Sequence, residues 1–318
     1  MSAIIPRWEW RTFGSRFGIA ETRFAELTPT GIQEGDELYL LAGVTDNVKI
    51  RDALMDIKVL REVDPDGLER WEPVMKQGFP LGAADIEKVY AALNLAVPQL
   101  DRSTYTLAQF LDELVAPSGM LRPVNVHKRR VRYKVGGCAS EVTEITAERT
   151  TTRSIAIESE NAAAVIAGVA SVGLACYLNT SYPHGLRALI ESAPERYAVI
   201  DAGTNSIKFH IAERDAGGNM RKVVDRAEMT RLGEGLEERG EIGPEAIERT
   251  VLAIAGMVSE AKQNSARAIA AVGTAGLRMA RNSASVIATI RARAGIAIEV
   301  ISGEEEGRLA YLAATSAL

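Results

Sequence analysis

The stretch that most constrains the fold is Tyr197–Ile211, which reads YAVIDAGTNSIKFHI. An apolar strand ends at Asp201, a tight turn of small polar residues follows, and a second strand begins. Because Gly203 has no Cβ, a phosphate can approach the backbone N–H groups and hydroxyls of this turn. A carboxylate beside a phosphate normally needs a cation between them, most often Mg²⁺, so Asp201 is a candidate metal ligand. The turn residues predicted to bind phosphate are Gly203, Thr204, Asn205 and Ser206.

The charge of the chain is uneven. Its 318 residues suffice for two domains, and 47% hydrophobic with 25% charged residues is typical of a soluble globular protein. The formal net charge is -5, yet the stretch 122–134 is densely basic. A basic patch in a mildly acidic protein indicates an anionic ligand held at one site. Cys138 and Cys176 are too few and too far apart for a disulfide framework or a zinc site.

The sequence leads us to expect neither a secretory signal nor a membrane-spanning helix. The first residues, MSAIIPRWEWR, lack the basic region and long apolar core of a secretory signal. The apolar run 162–178 is shorter than the roughly 20 residues that cross a bilayer, and it is better read as a buried helix. We therefore expect a cytoplasmic protein with no membrane association.

Strands with alternating apolar and charged residues dominate the first half of the chain. Because residues two apart share a face of a strand, the long charged side chains of each strand lie together. An antiparallel sheet with one solvated face is the default interpretation. A closed barrel explains charges that recur on about six strands, because its interior alternates with its exterior along every strand. The helices predicted between the strands are 83–96, 106–115 with Ser103 or Thr104 as N-cap, and 161–178 with Asn161 as N-cap.

This pattern of charged strands, over roughly residues 5–190, resembles the CYTH family of triphosphate tunnel metalloenzymes. The resemblance implies an antiparallel β-barrel that forms a tunnel for triphosphate-like anions. The family opens with a Glu-x-Glu-x-Lys strand, whereas this chain has Arg7-x-Glu9-x-Arg11. Glu9 is the implied metal ligand, and the loss of the first Glu favours a polyanion site over an active triphosphatase. The residues expected to line the tunnel are Arg11, Lys49, Arg51, Lys58, Lys128, Arg130 and Arg132.

The second half predicts a different architecture. We place the domain boundary at about Glu195, which gives domains 1–194 and 195–318; a short helix, 185–192, precedes the boundary. The order of elements after it is β-β-β-α-β-α-β-α. Three antiparallel strands followed by alternating helices and strands fit an actin-like (ASKHA, ribonuclease H-like) domain. The whole chain is thus predicted as α+β followed by α/β. The elements predicted after the first hairpin are a turn at 215–219, strands 221–229, 268–272 and 296–301, and helices 244–262, 283–294 (capped by Asn282 or Ser283) and 304–314.

Four motifs in this half resemble the exopolyphosphatase and guanosine pentaphosphate phosphohydrolase (Ppx/GppA) family in order and spacing. They are the Asp201–Ser206 turn, Arg231–Leu236, Thr274–Asn282 and Ile301–Leu309. A hairpin turn without function is the alternative for the first motif alone, since Gly, Asn and Ser are common turn residues.

The Ppx/GppA resemblance assigns roles to two residues of the later motifs. It implies that Arg278 binds phosphate and that Glu306 acts as general base on the attacking water. Structural roles are the alternatives for their neighbours. Glu305 fits a capping box with Ser302, and Glu304 can pair with Arg308 one turn along the helix.

The resemblance also leaves part of the cleft unaccounted for. The family has a second phosphate loop, an Asp-x-Gly-Gly-Gly-Ser hairpin, soon after the catalytic helix. The printed sequence reaches Leu318 before any such loop. We therefore expect a truncated protein or a fragment that carries one half of a catalytic cleft.

The leading hypothesis is a Mg²⁺-dependent enzyme that hydrolyses terminal phosphoryl groups of inorganic polyphosphate or guanosine pentaphosphate, with the CYTH-like domain binding the polyanion. The alternative is a non-catalytic polyphosphate-binding or regulatory protein. A sugar or acetate kinase of the actin-like fold is disfavoured by the Ser-Gly-Glu-Glu-Glu stretch. Nucleic acid is not an expected partner, because Tyr133 is the one aromatic residue in the basic stretch and base stacking needs more. The sequence is also compatible with a homodimer.

Overall fold

Eight antiparallel strands close into a barrel in the N-terminal part of the chain. The structure, a computed structural model, describes residues 5–43, 46–215 and 220–316. It divides into two units, Met1–Ala193 and Pro194–Leu318. The predicted antiparallel barrel is therefore confirmed for the first unit.

The elements of the first unit are numbered in chain order. The strands are β1 (Arg7–Gly14), β2 (Gly31–Leu41), β3 (Asn47–Arg51), β4 (Leu54–Val63), β5 (Glu69–Gly78), β6 (Leu81–Gly82), β7 (Thr104–Tyr105), β8 (Arg122–Val135), β9 (Cys138–Ala147) and β10 (Thr150–Ser159). The helices are α1 (Ile19–Ala25), α2 (Ala83–Ala92), α3 (Leu107–Gln109), which continues into a π-helical turn (Phe110–Val115) and a 3-10 turn (Ala116–Ser118), α4 (Ala162–Ser171) and α5 (Tyr182–Ile190). Around the barrel the strand order is β1, β10, β9, β8, β2, β3, β4, β5, and β5 pairs with β1. β6 and β7 form a separate two-stranded sheet.

Alternation along the strands separates the interior of the barrel from its exterior. In β8, Val124, Val126, Lys128 and Arg130 are buried, whereas the residues between them are half-buried or exposed. Residues two apart share a face, so one face of β8 carries both apolar and basic side chains into the barrel. The interior is thus apolar over one part of its length and charged over the next.

Two apolar clusters cover the outside of the barrel. Met55 and Ile57 of β4 are fully buried in a cluster with Ile86 of α2. A second cluster joins Trp10 of β1 and Ile157 of β10 with residues of α1 and α4. Each fully buried side chain of this kind contributes about 1.5–3 kcal/mol to stability. Packing on the outside therefore stabilises the barrel, so part of its interior can be occupied by charged residues.

Helix α5 fills the apolar part of the interior. Its Tyr182 and Leu186 pack with apolar residues of β2, β8 and β9. β5 pairs with β1 only over the first residues of β1. Further along β1, the backbone N–H of Arg11 donates to Asn179 Oδ1 at 2.6 Å, and the Thr180 N–H donates to the Arg11 carbonyl at 2.7 Å. The segment before α5 thus takes the place of β5 beside β1 and anchors the helix.

Two predicted helices differ from the observed ones because of their capping residues. The helix expected over 106–115 has Thr106 as its N-cap, not Ser103 or Thr104, since Thr106 and Gln109 form a reciprocal capping box. The helix expected over 185–192 begins earlier, at Tyr182, because the Ser181 side chain caps it.

Two other predicted helices end early. Asn161 caps α4 as predicted, but α4 ends at Ser171 rather than Leu178, and Gly173 follows with a left-handed φ of 77°. The helix expected over 83–96 ends at Ala92, and Asn94 adopts a φ of 53°. A left-handed residue after each helix stops the helical hydrogen-bond pattern.

The second unit is a five-stranded sheet with helices. Its strands are β11 (Glu195–Ala202), β12 (Ser206–Arg214), β13 (Met220–Met229), β14 (Ala266–Gly273) and β15 (Glu299–Val300). Its helices are α6 (Leu236–Arg239), α7 (Pro244–Gln263), α8 (Ala275–Met279), α9 (Ser283–Ala294) and α10 (Gly303–Ser316). The sheet order is β13, β12, β11, β14, β15; the first three strands are antiparallel, and β14 and β15 are parallel to β11. The predicted architecture of three antiparallel strands followed by alternating helices and strands is confirmed.

Details of this unit depart from the prediction. The strand expected over 296–301 pairs only at Glu299–Val300. Asn282 occupies the N-cap position of α9, but its amide bonds the backbone of Ile242 instead of the helix. The turn predicted at 215–219 lies, apart from Asp215, outside the described residues. Among the helices that the structure describes, none combines the length and the apolar character needed to cross a membrane.

Candidate functional site

A polar cavity of about 360 Å³ occupies the charged part of the barrel interior. Glu9, Glu141 and Glu158 line it together with Tyr39 and Tyr182. The structure also brings together every basic residue predicted for the tunnel, since all seven line this one cavity. These residues are Arg11, Lys49, Arg51, Lys58, Lys128, Arg130 and Arg132.

Glu37 is the anionic centre of this cluster, with a side chain that is 1% exposed. Its Oε2 accepts hydrogen bonds from Lys128 Nζ at 2.8 Å and Lys49 Nζ at 3.2 Å, and its Oε1 accepts one from Arg130 Nη2 at 2.5 Å. Burial alone would raise the pKa of the Glu37 carboxyl, but these three cations outweigh it and hold that pKa far below its usual value. Glu37 is therefore ionised and neutralises part of the basic cluster.

Lys128 lies against two stacked rings. The Tyr39 and Tyr182 rings are 4.9 Å apart at an interplanar angle of 14°, and Lys128 Nζ is 3.5 Å from the Tyr182 centroid and 4.6 Å from that of Tyr39. Burial and then the charge of Lys49 lower the pKa of the Lys128 ammonium well below its usual value. Cation–π contacts and the bond to Glu37 offset part of the cost of burying this group.

Arg11 binds two carboxylates at once. Its Nε lies 2.8 Å from Glu9 Oε1, and its Nη2 lies 3.0 Å from Glu141 Oε1. Burial opposes ionisation of both acids, but Arg11 lowers the pKa of Glu9 and, with Arg130, lowers that of Glu141 to about 2. The metal role of Glu9 stays a prediction; in this structure its carboxylate is paired with the Arg11 guanidinium. Within the described ranges, no three His, Cys, Asp or Glu side chains come together as a metal-binding group.

The turn after β11 is the predicted phosphate loop. The Gly203 N–H donates to the Ser206 carbonyl at 3.1 Å, and a Cβ at Gly203 would lie 2.9 Å from that oxygen, so only glycine fits without distortion. Asp201 Oδ2 lies 3.7 Å from Lys208 Nζ. Asp201 Oδ1 is buried, and no hydrogen-bond partner for it occurs in the described part of the chain. A buried carboxylate oxygen without a partner fits a bound cation such as Mg²⁺.

Two glycines enclose Thr204 at the tip of this turn. The Gly233 N–H donates to the Thr204 carbonyl at 2.8 Å, and a Cβ at Gly233 would lie 2.2 Å from Thr204 Cγ2. A Cβ at Gly276 would lie 3.3 Å from Thr204 Oγ1. Gly233 belongs to the 231–236 motif and Gly276 to the 274–282 motif. The second and third motifs therefore both contact the first.

Arg278 of α8 joins the third motif to the fourth. Its Nη1 donates to the Ile301 carbonyl at 2.7 Å, and its Nη2 donates to Glu306 Oε2 at 3.2 Å. The Arg278 and Glu306 side chains are 34% and 43% exposed, so water and solutes reach both. The family resemblance assigned these two residues separately, and the structure places them in contact.

The structural alternatives near Glu306 are only partly as predicted. The Glu305 N–H donates to Ser302 Oγ at 3.1 Å, which is half of the predicted capping box. The Glu305 carboxylate instead accepts from Arg308 at 2.8 and 2.6 Å. The predicted Glu304–Arg308 pair is thus replaced by a Glu305–Arg308 pair, because Arg308 lies within reach of the acid three residues before it.

Comparison with known proteins identifies the second unit. Residues 210–318 match the family model described as the Ppx/GppA phosphatase family. This part of the chain is a Ppx/GppA domain. Its motifs 231–236, 274–282 and 301–309 all lie within the matched residues.

Several solved structures are similar to part of the chain. A Ppx/GppA family member from Aquifex aeolicus is 30% identical over 38% of this chain and 39% of its own, with a TM-score of 0.37. An exopolyphosphatase from Cytophaga hutchinsonii is 27% identical over 36% of each chain, with a TM-score of 0.35. A putative adenylyl cyclase from Hippeastrum, described as having a dominant triphosphatase activity, is 12% identical over 58% of this chain and 96% of its own, with a TM-score of 0.35. The chain spans about two fifths of the length of the Aquifex Ppx/GppA protein.

Sequence reasoning missed Glu37 in the barrel and the two glycines that hold Thr204 in the Ppx/GppA domain. Glu37 lies in the mostly apolar stretch 36–41, DELYLL, which by itself predicts only a short apolar strand. Its spacing of two from Tyr39, and of four from Leu41, could have indicated that its side chain shares their face of the strand, since residues two apart share a face. The contact of Gly233 and Gly276 with Thr204 is tertiary and leaves no local signal.

Proposed function

We propose that the Ppx/GppA domain hydrolyses terminal phosphoryl groups of inorganic polyphosphate or guanosine pentaphosphate. The observation that carries this proposal is the 3.2 Å contact between Arg278 and Glu306, which brings a phosphate-binding cation and a candidate base to one place. The family match by itself indicates a phosphatase, without specifying the substrate. The contacts of the turn with the second and third motifs add support.

In this proposal the turn and Arg278 bind the substrate, and Glu306 activates the attacking water. The Thr204–Ser206 tip of the turn, which Gly203 leaves open to approach, and the Arg278 guanidinium bind oxygens of the terminal phosphoryl group. As Arg278 turns to the phosphate, Glu306 loses its ion-pair partner and becomes free to accept a proton from the attacking water. Mg²⁺ held by Asp201 would supply positive charge against the phosphate oxygens. The buried, unpartnered Asp201 Oδ1 supports that role.

The barrel binds the same class of anion in this proposal. Its cavity presents seven basic side chains, and phosphate oxygens are strong acceptors for Lys and Arg. A binding site on the same chain raises the local concentration of a long polymer near the hydrolytic site. The barrel therefore serves to capture polyphosphate.

The test uses the purified 318-residue chain with long-chain polyphosphate and Mg²⁺, and it measures phosphate release. Glu306→Gln should abolish release, because the amide cannot accept the proton. Glu304→Gln on the same helix is the matched control and should retain release. Binding of polyphosphate without any release by the unaltered chain would refute hydrolysis by this chain.

The second candidate is a non-catalytic polyphosphate-binding or regulatory protein. The ion pairs that occupy Glu9 and Glu141 favour it for the barrel, since carboxylates bound to Arg11 are not available to a catalytic metal. The same release assay decides between the two, because this candidate predicts binding and no phosphate release.

A further inference from the structure

We propose that the barrel binds condensed phosphate without a divalent cation, by exchanging internal ion pairs for phosphate contacts. This inference rests on the part of the proposed function that assigns anion binding to the barrel. It does not depend on hydrolysis by the Ppx/GppA domain. The CYTH resemblance implies metal in this cavity, and the donor set of this chain argues otherwise.

The carboxylates that could hold a metal are already bound to protein cations. Glu37 accepts from Lys128, Lys49 and Arg130. Arg11 bridges Glu9 and Glu141 at 2.8 and 3.0 Å. A divalent cation would have to displace these groups and leave Arg11 buried without a counter-ion, which is costly.

The cavity nonetheless carries a surplus of positive charge. Among its described residues, seven basic side chains line it against three carboxylates. Glu37 and Asp56, which pair with these basic residues, raise the number of carboxylates to five. The basic side chains stay in excess even when Lys128, whose pKa is lowered, is left out of the count. An anion therefore gains from entering, whereas a further cation does not.

The entrance cations, which we define as Arg51, Lys58 and Arg132, are the most accessible members of the set. Lys58 is 33% exposed and approaches Glu9 only to 4.0 Å. Arg132 is exposed and donates to the neutral Gln33 amide oxygen at 2.5 Å. Arg51, 28% exposed, pairs with Asp56 at 3.2 Å. Lys58 and Arg132 thus have the weakest internal partners, so they can bind phosphate without breaking a strong ion pair.

The expected behaviour separates this site from a metal-dependent one. Free tripolyphosphate carries more negative charge than its Mg²⁺ complex, so a cationic cavity without metal ligands prefers the free form. Added Mg²⁺ should leave the affinity unchanged or weaken it. A site built on carboxylate-bound metal would show the opposite response.

The experiment is isothermal titration calorimetry of the full 318-residue chain with sodium tripolyphosphate, first in EDTA and then in excess Mg²⁺. We expect saturable binding in EDTA that Mg²⁺ does not tighten. The double variant Lys58→Ala/Arg132→Ala should weaken it by about tenfold or more, because two charge-assisted contacts to phosphate are lost. Lys88→Ala, an exposed lysine of α2, is the charge-matched control and should bind as the unaltered chain does.

The outcomes distinguish failure of metal-independent binding in the barrel from failure of hydrolysis by the Ppx/GppA domain. Binding that appears only with Mg²⁺, or that ignores the Lys58→Ala/Arg132→Ala change, overturns metal-independent binding in the barrel. The variant Arg278→Ala, which alters the Ppx/GppA domain, should keep the EDTA binding; loss of it would place the site outside the barrel and also overturn the inference. Retained EDTA binding together with no phosphate release by the unaltered chain would refute hydrolysis alone.

Discussion

Arg278 Nη2 lies 3.2 Å from Glu306 Oε2, so the candidate phosphate ligand and the candidate base form an ion pair. Each residue neutralises the other in the absence of substrate. In the proposed reaction, a phosphate that draws Arg278 away therefore also frees Glu306. Phosphate binding and activation of the base would thus be coupled through this one contact.

The geometry of Arg278 predicts that Arg278→Lys will not preserve activity. Lysine keeps the charge but lacks the planar fork that reaches both the Ile301 carbonyl and Glu306. We expect kcat for phosphate release from polyphosphate to fall by roughly 10²–10³, the usual cost of one oxyanion donor. Arg308→Lys alters the exposed Glu305–Arg308 pair of α10 and should leave kcat within about twofold. Equal effects of the two changes would contradict the role of Arg278.

The contact between Gly233 and Thr204 predicts a steric lesion that a second change repairs. In Gly233→Ala the new Cβ would meet Thr204 Cγ2 at 2.2 Å, so the phosphate loop must shift. We expect a loss of about 1–3 kcal/mol in the free energy of unfolding and a marked fall in phosphate release. Thr204→Ser removes that methyl group, and the double variant should recover much of both.

The control for this experiment is Gly256→Ala in α7. A Cβ at Gly256 meets nothing within 4 Å, so this change should stabilise the helix by roughly 0.5–1 kcal/mol. Thermal unfolding and a phosphate-release assay on all four proteins check the prediction. A double variant no better than Gly233→Ala would show that the clash with Thr204 is not the cause.

Removal of Glu37 should destabilise the barrel. Glu37→Gln leaves Lys128, Lys49 and Arg130 close together without their shared counter-ion, and breaking a buried pair costs about 3–5 kcal/mol. Tripolyphosphate should then raise the melting temperature of Glu37→Gln more than that of the unaltered chain, because it supplies the missing negative charge. Adding Lys128→Met should recover part of the lost stability. A Glu37→Gln protein as stable as the unaltered chain would contradict the role of this ion pair.

Glu69 predicts a pH dependence of stability. It lies opposite Glu9 in the β1–β5 pair and accepts from Trp71 Nε1 at 3.1 Å; burial raises the pKa of its carboxyl from 4.5 to about 7. Between these values the folded protein holds a proton that the unfolded chain releases, so the free energy of unfolding falls as pH rises toward 7. Glu69→Gln stays neutral and should lack this fall, which amounts to about 1–3 kcal/mol.

Urea unfolding at pH 5 and pH 8 measures this difference. The stability of Glu69→Gln relative to the unaltered chain should be greater at pH 8 than at pH 5. Glu62→Gln, which changes an exposed carboxylate of β4, should follow the unaltered chain at both values. Parallel profiles for Glu69→Gln and the unaltered chain would contradict a raised pKa at Glu69.

The sequence predicted those features that repeat or that lie close together along the chain. Alternation on β3, β4 and β8 placed Lys49, Lys58 and Lys128 on interior faces, because the side-chain period of a strand is fixed. It also led from charged strands to a barrel. The Asp201–Ser206 turn was evident because its strand–turn–strand pattern is local.

Features set by tertiary contact were beyond the sequence. The role of Glu37 depends on basic residues from β3 and β8, and that of Arg11 depends on Glu141, which lies on β9. Without knowledge of the strand order, these charges could not be paired from the sequence. The metal role of Glu9 stays a prediction, and the bridge that Arg11 forms between Glu9 and Glu141 was hidden from the sequence for the same reason.

The pairing of β1 with β10 has a consequence for synthesis. These strands close the barrel although they lie at opposite ends of the unit, with Trp8 opposite Ser159. β1 can pair with β5 earlier, but a ribosome must make β10 before the other edge of β1 is paired, and such long-range pairing is slow. Until then Glu9 and Arg11 place charges on a strand with an open edge, and charged residues discourage edge-to-edge association with other chains. The side chains that we assign to the anion cavity would thus also keep the nascent chain from aggregating.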